Sequence, residues 1–256
     1  MMHSLDALYD YIYELSGLTF PSSNRATLDQ KVDRFFKAKS IANADVLDYI
    51  QSDKQSEQEL LDLLTVNESY FFREMTVVDE MVKRIMSQKG KVRILCAPSS
   101  SGEESFSIVI SLLKAGKPSS EIEVVGFDIN SDVIKLAKQA QYSKRRVHRV
   151  SDEDLAKYFS PEGDHYHLSS EVTQCVTFYC KNLFDDSIKD LGLFDIVFSR
   201  NMLIYFDKKS SLRAEKVFYN ALKHQGYLLV GHADFIANEI GFEKEIVNGN
   251  AFYTKQ

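Results

Sequence analysis

The chain has 256 residues, enough for one large α/β domain with a small accessory domain and for a sizeable buried core. Hydrophobic residues make up 44% and charged residues 27%, and 37 acidic against 31 basic side chains leave a net charge of −6, which speaks against bulk nucleic-acid binding. No apolar run approaches the ~18 residues of a membrane span, so no direct membrane insertion is expected, and the acidic start (Asp6, Asp10, Glu14) is unlike a secretory signal. The first segment is read as helical over 5–15, because Leu5, Leu8, Tyr9, Ile12 and Leu15 recur at three- and four-residue steps. Pro21 breaks that pattern. Further helices are expected at about 27–39, 43–51 and 57–64. A longer one from Met75 carries Val78, Met81, Val82, Ile85 and Met86 on one face and ends near Gly90.

After Gly90 short apolar runs alternate with helical stretches. The runs are 92–96, 122–127, 194–198 and 227–230; the helices are 106–113, 131–140 and 209–222. Buried strands alternating with helices imply a parallel sheet covered on both faces. Asn248-Gly249, between apolar runs at 242–247 and 251–254, predicts an antiparallel hairpin at the end of the sheet. Segment 160–180 does not fit the alternation and is read as a small β-insertion. The domain expectation is a helical unit over 1–75 and an α/β unit over 76–256. The three cysteines (Cys96, Cys175, Cys180) form no CxxC pair and are read as buried, reduced thiols of a cytoplasmic protein. With no apolar surface patch legible, a monomer is expected.

Strand 92–96 runs into Ala97-Pro-Ser-Ser-Ser-Gly-Glu-Glu104 and then a helix, a turn of small residues that lets a ligand approach the backbone and a helix N-terminus. It has one glycine rather than the three of G-x-G-x-x-G. Asp128 stands where the second strand should end, a position from which a carboxylate accepts both ribose hydroxyls of an adenosine-containing ligand. Glu103 and Glu104 disfavour a pyrophosphate at the turn and suit a cationic ligand. S-adenosylmethionine, with a sulfonium and an ammonium, therefore fits better than NAD. The terminal hairpin points the same way, since Rossmann-like methyltransferases end in one and dinucleotide dehydrogenases usually do not.

Three blocks together resemble the CheR family of chemoreceptor protein-glutamate methyltransferases. Thr65-Val-Asn-Glu-Ser-Tyr-Phe-Phe-Arg-Glu74 is similar to the family's T-x-N-x-T-x-F-F-R-E, the Ser-Gly-Glu-Glu turn is the second block, and Phe194-Asp-Ile-Val-Phe-Ser-Arg-Asn-Met-Leu-Ile-Tyr-Phe-Asp207 resembles F-D-x-I-F-C-R-N-V-x-I-Y-F-D. Gly226 to His232 resembles the strand that follows in the family. The resemblance implies a Rossmann-like S-adenosylmethionine methyltransferase sheet whose cofactor contacts fall on Asn67, Ser69, Arg73, Glu104, Asp128, Asn182, Leu183, Arg200 and Asn201. It puts Tyr205 at the reacting methyl, and S-adenosylhomocysteine as the product; no metal is implied. Asp128 would bind the ribose, Asn182 and Leu183 the adenine, and Glu104 and Arg73 the methionine end or the incoming carboxylate. Arg73 and Tyr205 are the catalytic candidates. Ser105 and Ser69 replace the family's proline and threonine, and Ala233-Asp234 replaces its Ser-Glu, without deleting a chemical group named here.

The implied substrate is the cytoplasmic helical domain of a chemoreceptor, rich in glutamate. Arg25, Lys31, Arg34, Lys37 and Lys39 cluster around the second helix, and Lys31, Arg34 and Lys37 share a face that suits an acidic partner helix. Some family members also add a receptor's C-terminal peptide as a strand to the β-insertion. Segment 160–180 contains only Gly163 and lacks a glycine-rich hairpin, so no such tether, or a weak one, is expected. Phe71 and Phe72 are read as packing between the domains, His232 as a hydrogen-bonded structural histidine and Cys96 as core. Two alternatives stay open on sequence: a non-catalytic adaptor that binds cofactor or receptor, and a Rossmann-type oxidoreductase.

Overall fold

A computed structural model describes residues 3–42 and 45–256. Helices α1 (His3–Ser16), α2 (Ser22–Ala38), α3 (Val46–Ser52) and α4 (Lys54–Leu64) come first. Each turns a narrow apolar stripe inward, and Leu8, Tyr9, Ile12, Val32, Phe36, Val46, Ile50, Leu60 and Leu64 bury one another in a core of their own. Pro21 stands at the N-terminus of α2, where its fixed φ suits a helix entry, so α2 starts several residues before the expected Thr27. The start expected for the third helix, at Asn43, lies outside the described residues. Asp53 caps α4 by accepting from the Gln55 N–H. Helix α5 (Thr76–Met86) buries Val77, Val78, Met81 and Ile85 in the core of the sheet that follows.

That sheet grows from β1 (Val92–Cys96), α6 (Glu103–Lys114), β2 (Ile122–Asp128), α7 (Ser131–Gln139), β3 (Gln141–Ser143), α8 (Asp152–Tyr158), β4 (Phe159–Glu162), β5 (His165–Leu168), α9 (Ser170–Thr173), β6 (Val176–Cys180), β7 (Phe194–Ser199), α10 (Lys208–Ala221), β8 (Leu222–Val230), β9 (Glu243–Val247) and β10 (Asn250–Thr254). Seven strands lie in the order β6-β2-β1-β7-β8-β10-β9. The five from β6 to β8 are parallel, and β10 runs antiparallel to both β8 and β9. Side chains alternate between the two faces: Ile94 and Cys96 enter one apolar core, Leu95 the other. Asn248 and Gly249 both take positive φ (51° and 80°), the backbone that a two-residue hairpin turn requires. The Rossmann-like sheet with an antiparallel end is thus the architecture expected from the sequence.

The β-insertion is present but starts and ends earlier than expected, with β4 and β5 in the first part of segment 160–180 and β3 upstream of it. Its three antiparallel strands, ordered β3-β5-β4, span residues 141–168. The strand-like run at 176–180 belongs instead to the main sheet, where it pairs in parallel with β2. Cys96 and Cys175 are buried as expected, whereas Cys180 is exposed because β6 is the sheet's edge. No described helix is long and apolar enough to cross a membrane.

Candidate active site

The carboxyl ends of β1, β2 and β7 meet where ligands bind in open α/β sheets. After β1 the chain passes through Ala97-Pro98, whose peptide bond is cis, and Ser100 at φ 47°. The Ser99 N–H donates to the Phe127 carbonyl at 2.8 Å, drawing the turn against the end of β2. Gly102 heads α6 at φ 91°, and a Cβ there would lie 2.8 Å from the Phe178 ring, so both backbone and space require glycine. The turn closes on Asp128. Its carboxylate accepts from the Ser100 N–H and the Asn130 N–H, each at 2.9 Å. Burial pushes its pKa up to about 6, with the backbone donors pulling the other way.

Asn130 extends this post outward. It caps α7 through the Asp132 and Val133 N–H groups and donates to Thr65 Oγ1 at 2.7 Å, at the start of the signature loop 65–74. Asp62 of α4 accepts from Ser131 at both N–H (2.7 Å) and hydroxyl (2.6 Å). The helical layer is in this way fastened beside Asp128.

Glu103 and Glu104 part company, contrary to their common reading from sequence. Consecutive helix positions point about 100° apart. Glu103 is fully buried against Arg146 (2.8 Å) and the Ser101 hydroxyl, away from the cavity. Glu104 faces the cavity and pairs with Arg200 at 2.6 Å. Burial raises the Glu104 pKa, and Arg200 opposes the rise. Arg200, its side chain 2% exposed, also meets Glu74 at 2.9 Å and donates to the Arg73 carbonyl. Burial lowers its own pKa, but the two carboxylates more than offset that and leave it above the ordinary value. Arg200 is therefore a strut between β7, the cofactor turn and the signature loop. Arg73 is freer: its Nε stands 3.9 Å from Glu74, and one Nη donates to the Glu68 carbonyl.

The segment after β7 is held by Asp234, whose importance no spacing in the sequence reveals. Asn201 adopts φ 59°; its N–H donates to Asp234 at 2.5 Å, and the N–H groups of Gly231 (3.0 Å) and Ile204 (3.2 Å) converge on the same carboxylate. Burial raises the Asp234 pKa, and these donors counter it. The Tyr205 carbonyl accepts from Thr19 at N–H (2.9 Å) and hydroxyl (2.7 Å), while its phenol makes no hydrogen bond among the described residues. Asn182 donates to the Leu15 carbonyl at 2.7 Å and accepts from the Phe184 N–H, so its amide braces the loop after β6 against α1.

One cavity is lined by Asn67, Ser69, Arg73, Glu104, Asp128, Asn182, Leu183, Arg200, Asn201 and Tyr205, the set implied by the family resemblance. Its wall also holds Phe127, Ile129 and the α1–α2 turn residues Leu18 to Phe20. The donor set suits an adenosine carrying a cationic amino-acid tail. Asp128 matches a vicinal diol, Leu183 and Ile129 offer apolar faces, Glu104 suits an ammonium, and Arg73 suits a carboxylate. The buried hydroxyls of Ser99 and Ser100, both at the cavity wall, have no partner among the described residues, as expected where a polar ligand completes the site.

Phe71 is buried and packs on Tyr142 (4.8 Å) and Phe159 (5.2 Å), so it anchors the signature loop to the small sheet rather than stacking in the cavity. His232 is exposed, not enclosed in a hydrogen-bonded niche. Lys31, Arg34 and Lys37 are exposed on α2 and make no ion pair among the described residues. Their neighbours Arg25 and Lys39 are neutralised by Asp6 and Asp29 and by Glu59. Asp234, Glu74 and Arg146 are the site-building residues that sequence reading passed over.

The family described as CheR methyltransferase, SAM binding domain, matches residues 67–249. The chemotaxis protein methyltransferase of Campylobacter jejuni strain 81-176 is 34% identical over 254 residues, covering 98% of this chain and 95% of the relative. Chemotaxis protein methyltransferase 2 of Vibrio cholerae is 33% identical over 238 residues, covering 88% and 83%. Among solved structures, a TehB-like SAM-dependent methyltransferase from Corynebacterium glutamicum aligns with TM-score 0.43 and 16% identity, over 81% of this chain and 98% of that one. The family assignment rests on the sequence matches, which run through both the signature loop and the sheet edge. By those matches this chain belongs to the CheR family of S-adenosylmethionine-dependent chemotaxis methyltransferases.

Proposed function

We propose that this methyltransferase esterifies glutamate side chains on the cytoplasmic helices of a chemoreceptor, working in the cytoplasm. The observation that carries the reading is the pairing inside one cavity of a diol-binding carboxylate, Asp128, with a loosely held guanidinium, Arg73, beside a free phenol, Tyr205. When bound, S-adenosylmethionine supplies a methyl group on a positively charged sulfur, which a glutamate oxygen takes up as S-adenosylhomocysteine is released. Asp128 holds the ribose and Leu183 packs the adenine, while Asn182 fixes the loop between them. Glu104, kept in place by Arg200, receives the ammonium. Asn67, Ser69 and Asn201 line the same wall.

The attacking carboxylate needs no general base, since glutamate with an unperturbed pKa near ~4.3 is ionised at neutral pH. The protein's work is positioning and exclusion of water. Arg73 offers a planar fork that matches a carboxylate, and Tyr205 orients the same oxygen or contacts the sulfonium. Too tight a pairing with Arg73 would blunt the nucleophile, so its looseness suits steering. The helical unit, 1–75, presents the basic face of α2 to the acidic receptor, and the unit over 76–256 performs the transfer. The edge strands of the small sheet are short, three residues in β3 and four in β4, and β4 carries Pro161, which has no N–H. That supports a protein working without a peptide tether, and measurable binding of a receptor C-terminal pentapeptide would count against it.

Family membership sets the oxidoreductase reading aside, and an assay separates the enzyme from a non-catalytic adaptor. Labelled S-adenosylmethionine is incubated with the protein and a chemoreceptor cytoplasmic fragment. The expected result is label on the fragment that mild base releases as methanol, the behaviour of a carboxyl ester. Base-stable label, or none, sinks the proposal.

A further inference from the structure

We infer that the substrate helix is gripped by apolar side chains of the segments that build the cavity, Ile204, Phe235 and Val66, as well as by the basic face of α2; this rests on the glutamate-methylation reading above. Eight large hydrophobic side chains are exposed among the described residues. Met86, Leu136, Tyr179, Leu193 and Ile246 lie on separate elements, the ordinary scatter of a protein surface. The other three belong to the segments that build the cavity. Val66, 65% exposed, is part of its lining. Ile204, 46% exposed, sits between the lining residues Met202 and Tyr205. Phe235, 74% exposed, directly follows Asp234, the carboxylate that holds the Asn201 and Ile204 N–H groups.

A path of direct bonds joins the segments of Phe235 and Ile204 to α2. Asp234 holds Ile204, the next residue's carbonyl accepts from Thr19, and Thr19 lines the cavity together with Asn24 and Leu28 of α2. Asn24, Leu28 and Lys31 stand at successive turns of one helix face, so the side of α2 that reaches the cavity runs on into unpaired cations. Apolar side chains on one flank and cations on the other are complementary to an amphipathic acidic helix. Such a helix laid across the mouth presents its target glutamate to the cavity, rests an apolar side chain one turn away on Ile204 and Phe235, and sets acidic residues along α2. A purely acidic surface would leave Phe235 in water.

The test measures methyl transfer to a purified chemoreceptor cytoplasmic fragment by the wild type and by F235S, F235L and I204S. The KM for the fragment should rise about tenfold in F235S and I204S and recover most of the way in F235L. KM for S-adenosylmethionine and melting temperature should stay put, since Phe235 is largely exposed. If the wild type transfers methyl and both serine variants keep its KM for the fragment, these side chains play no part and this inference alone falls. If those variants instead abolish self-association in sedimentation with KM unchanged, these side chains serve a second copy and the inference also falls. A wild type that transfers nothing to the fragment overturns the parent reading and this one together.

Discussion

Asp128 carries the most testable physics at the scale of single residues. Burial holds its pKa near about 6 in the fold, above the ordinary aspartate value of 3.8. Between those two values the folded state binds a proton that the unfolded state does not, so this group's contribution to stability falls as pH rises through the window. In the proposed ribose role ligand binding has the opposite sense, because a carboxylate rather than an acid accepts both hydroxyls of a vicinal diol. Affinity for S-adenosylhomocysteine is expected to be flat from pH 8 to about 6 and to weaken below it by up to about tenfold per pH unit. Asp128→Asn should bind more weakly and lose that pH dependence. Titration calorimetry across pH 5 to 8 reads both, and a flat wild-type profile down to pH 5 would remove Asp128 from the ribose role. Asp234 is different in kind, since it touches backbone alone and acts through Asn201 and Tyr205. In Asp234→Asn one oxygen becomes an NH2 facing N–H donors, at a cost of roughly 1–3 kcal/mol. The expected outcome is a kcat lowered about tenfold or more by misplacement of the segment that carries Tyr205. A kcat equal to wild type in folded Asp234→Asn protein would show that the clamp is merely structural.

Elements differ in how openly the sequence announces them, and α2 shows the limits on one helix. Its basic face was legible as a pattern, but which cations are free was not. Arg25 and Lys39 are neutralised by acids distant or near in sequence (Asp6, Asp29, Glu59), leaving Lys31, Arg34 and Lys37 as the exposed charge. Replacing those three with glutamine should raise the KM for a receptor fragment and erase its salt dependence, with cofactor affinity unchanged, because screened attraction between exposed charges is what they supply. Steady-state kinetics at two ionic strengths decides it, and an unaltered salt dependence would exclude α2 from docking. The parallel strands and terminal hairpin were legible for a plain reason: strands buried on both faces read as apolar runs, and Asn248-Gly249 offers the two positive-φ positions that a tight turn needs. The small sheet was legible in existence but not in extent, because strands of three or four residues are too short to show a period. β6 lies inside the segment expected to form the insertion yet joins the main sheet, since composition reports a pleated segment while a crossover decides which strand it pairs with. The site divides along the same line. Residues inside the three family blocks could be found by their motifs. Asp234 and Arg146 act on backbone groups or on buried charge brought in by folding, and leave no spacing to read.

The whole molecule is two cores, that of helices α1 to α4 and that of the sheet with a cluster on each face, joined at one polar seam. Helices α1 to α4 bury their own apolar residues, the sheet buries two further clusters, and between them run the Thr19–Tyr205, Asn182–Leu15, Asn130–Thr65 and Tyr13–Asp207 hydrogen bonds. The cavity lies along this seam, with α1–α2 residues on one wall and strand ends on the other. A ligand bound there contacts both cores and is lost when either unfolds, so it should stabilise them jointly. S-adenosylhomocysteine at a hundred times its Kd is worth about 2.7 kcal/mol, which for a chain of this size raises the melting temperature by roughly 5–10 °C. The seam predicts something more specific than a shift. Thr19→Val removes the hydroxyl bond to the Tyr205 carbonyl while keeping side-chain volume, and should loosen the helical layer first. Hydrogen exchange in the ligand-free variant is then expected to speed up in α1 and α2 before the sheet strands, and the ligand should restore protection to both. Equal acceleration across helices and sheet in Thr19→Val would mean that the two cores open as a single unit, with the seam setting their geometry but not their coupling.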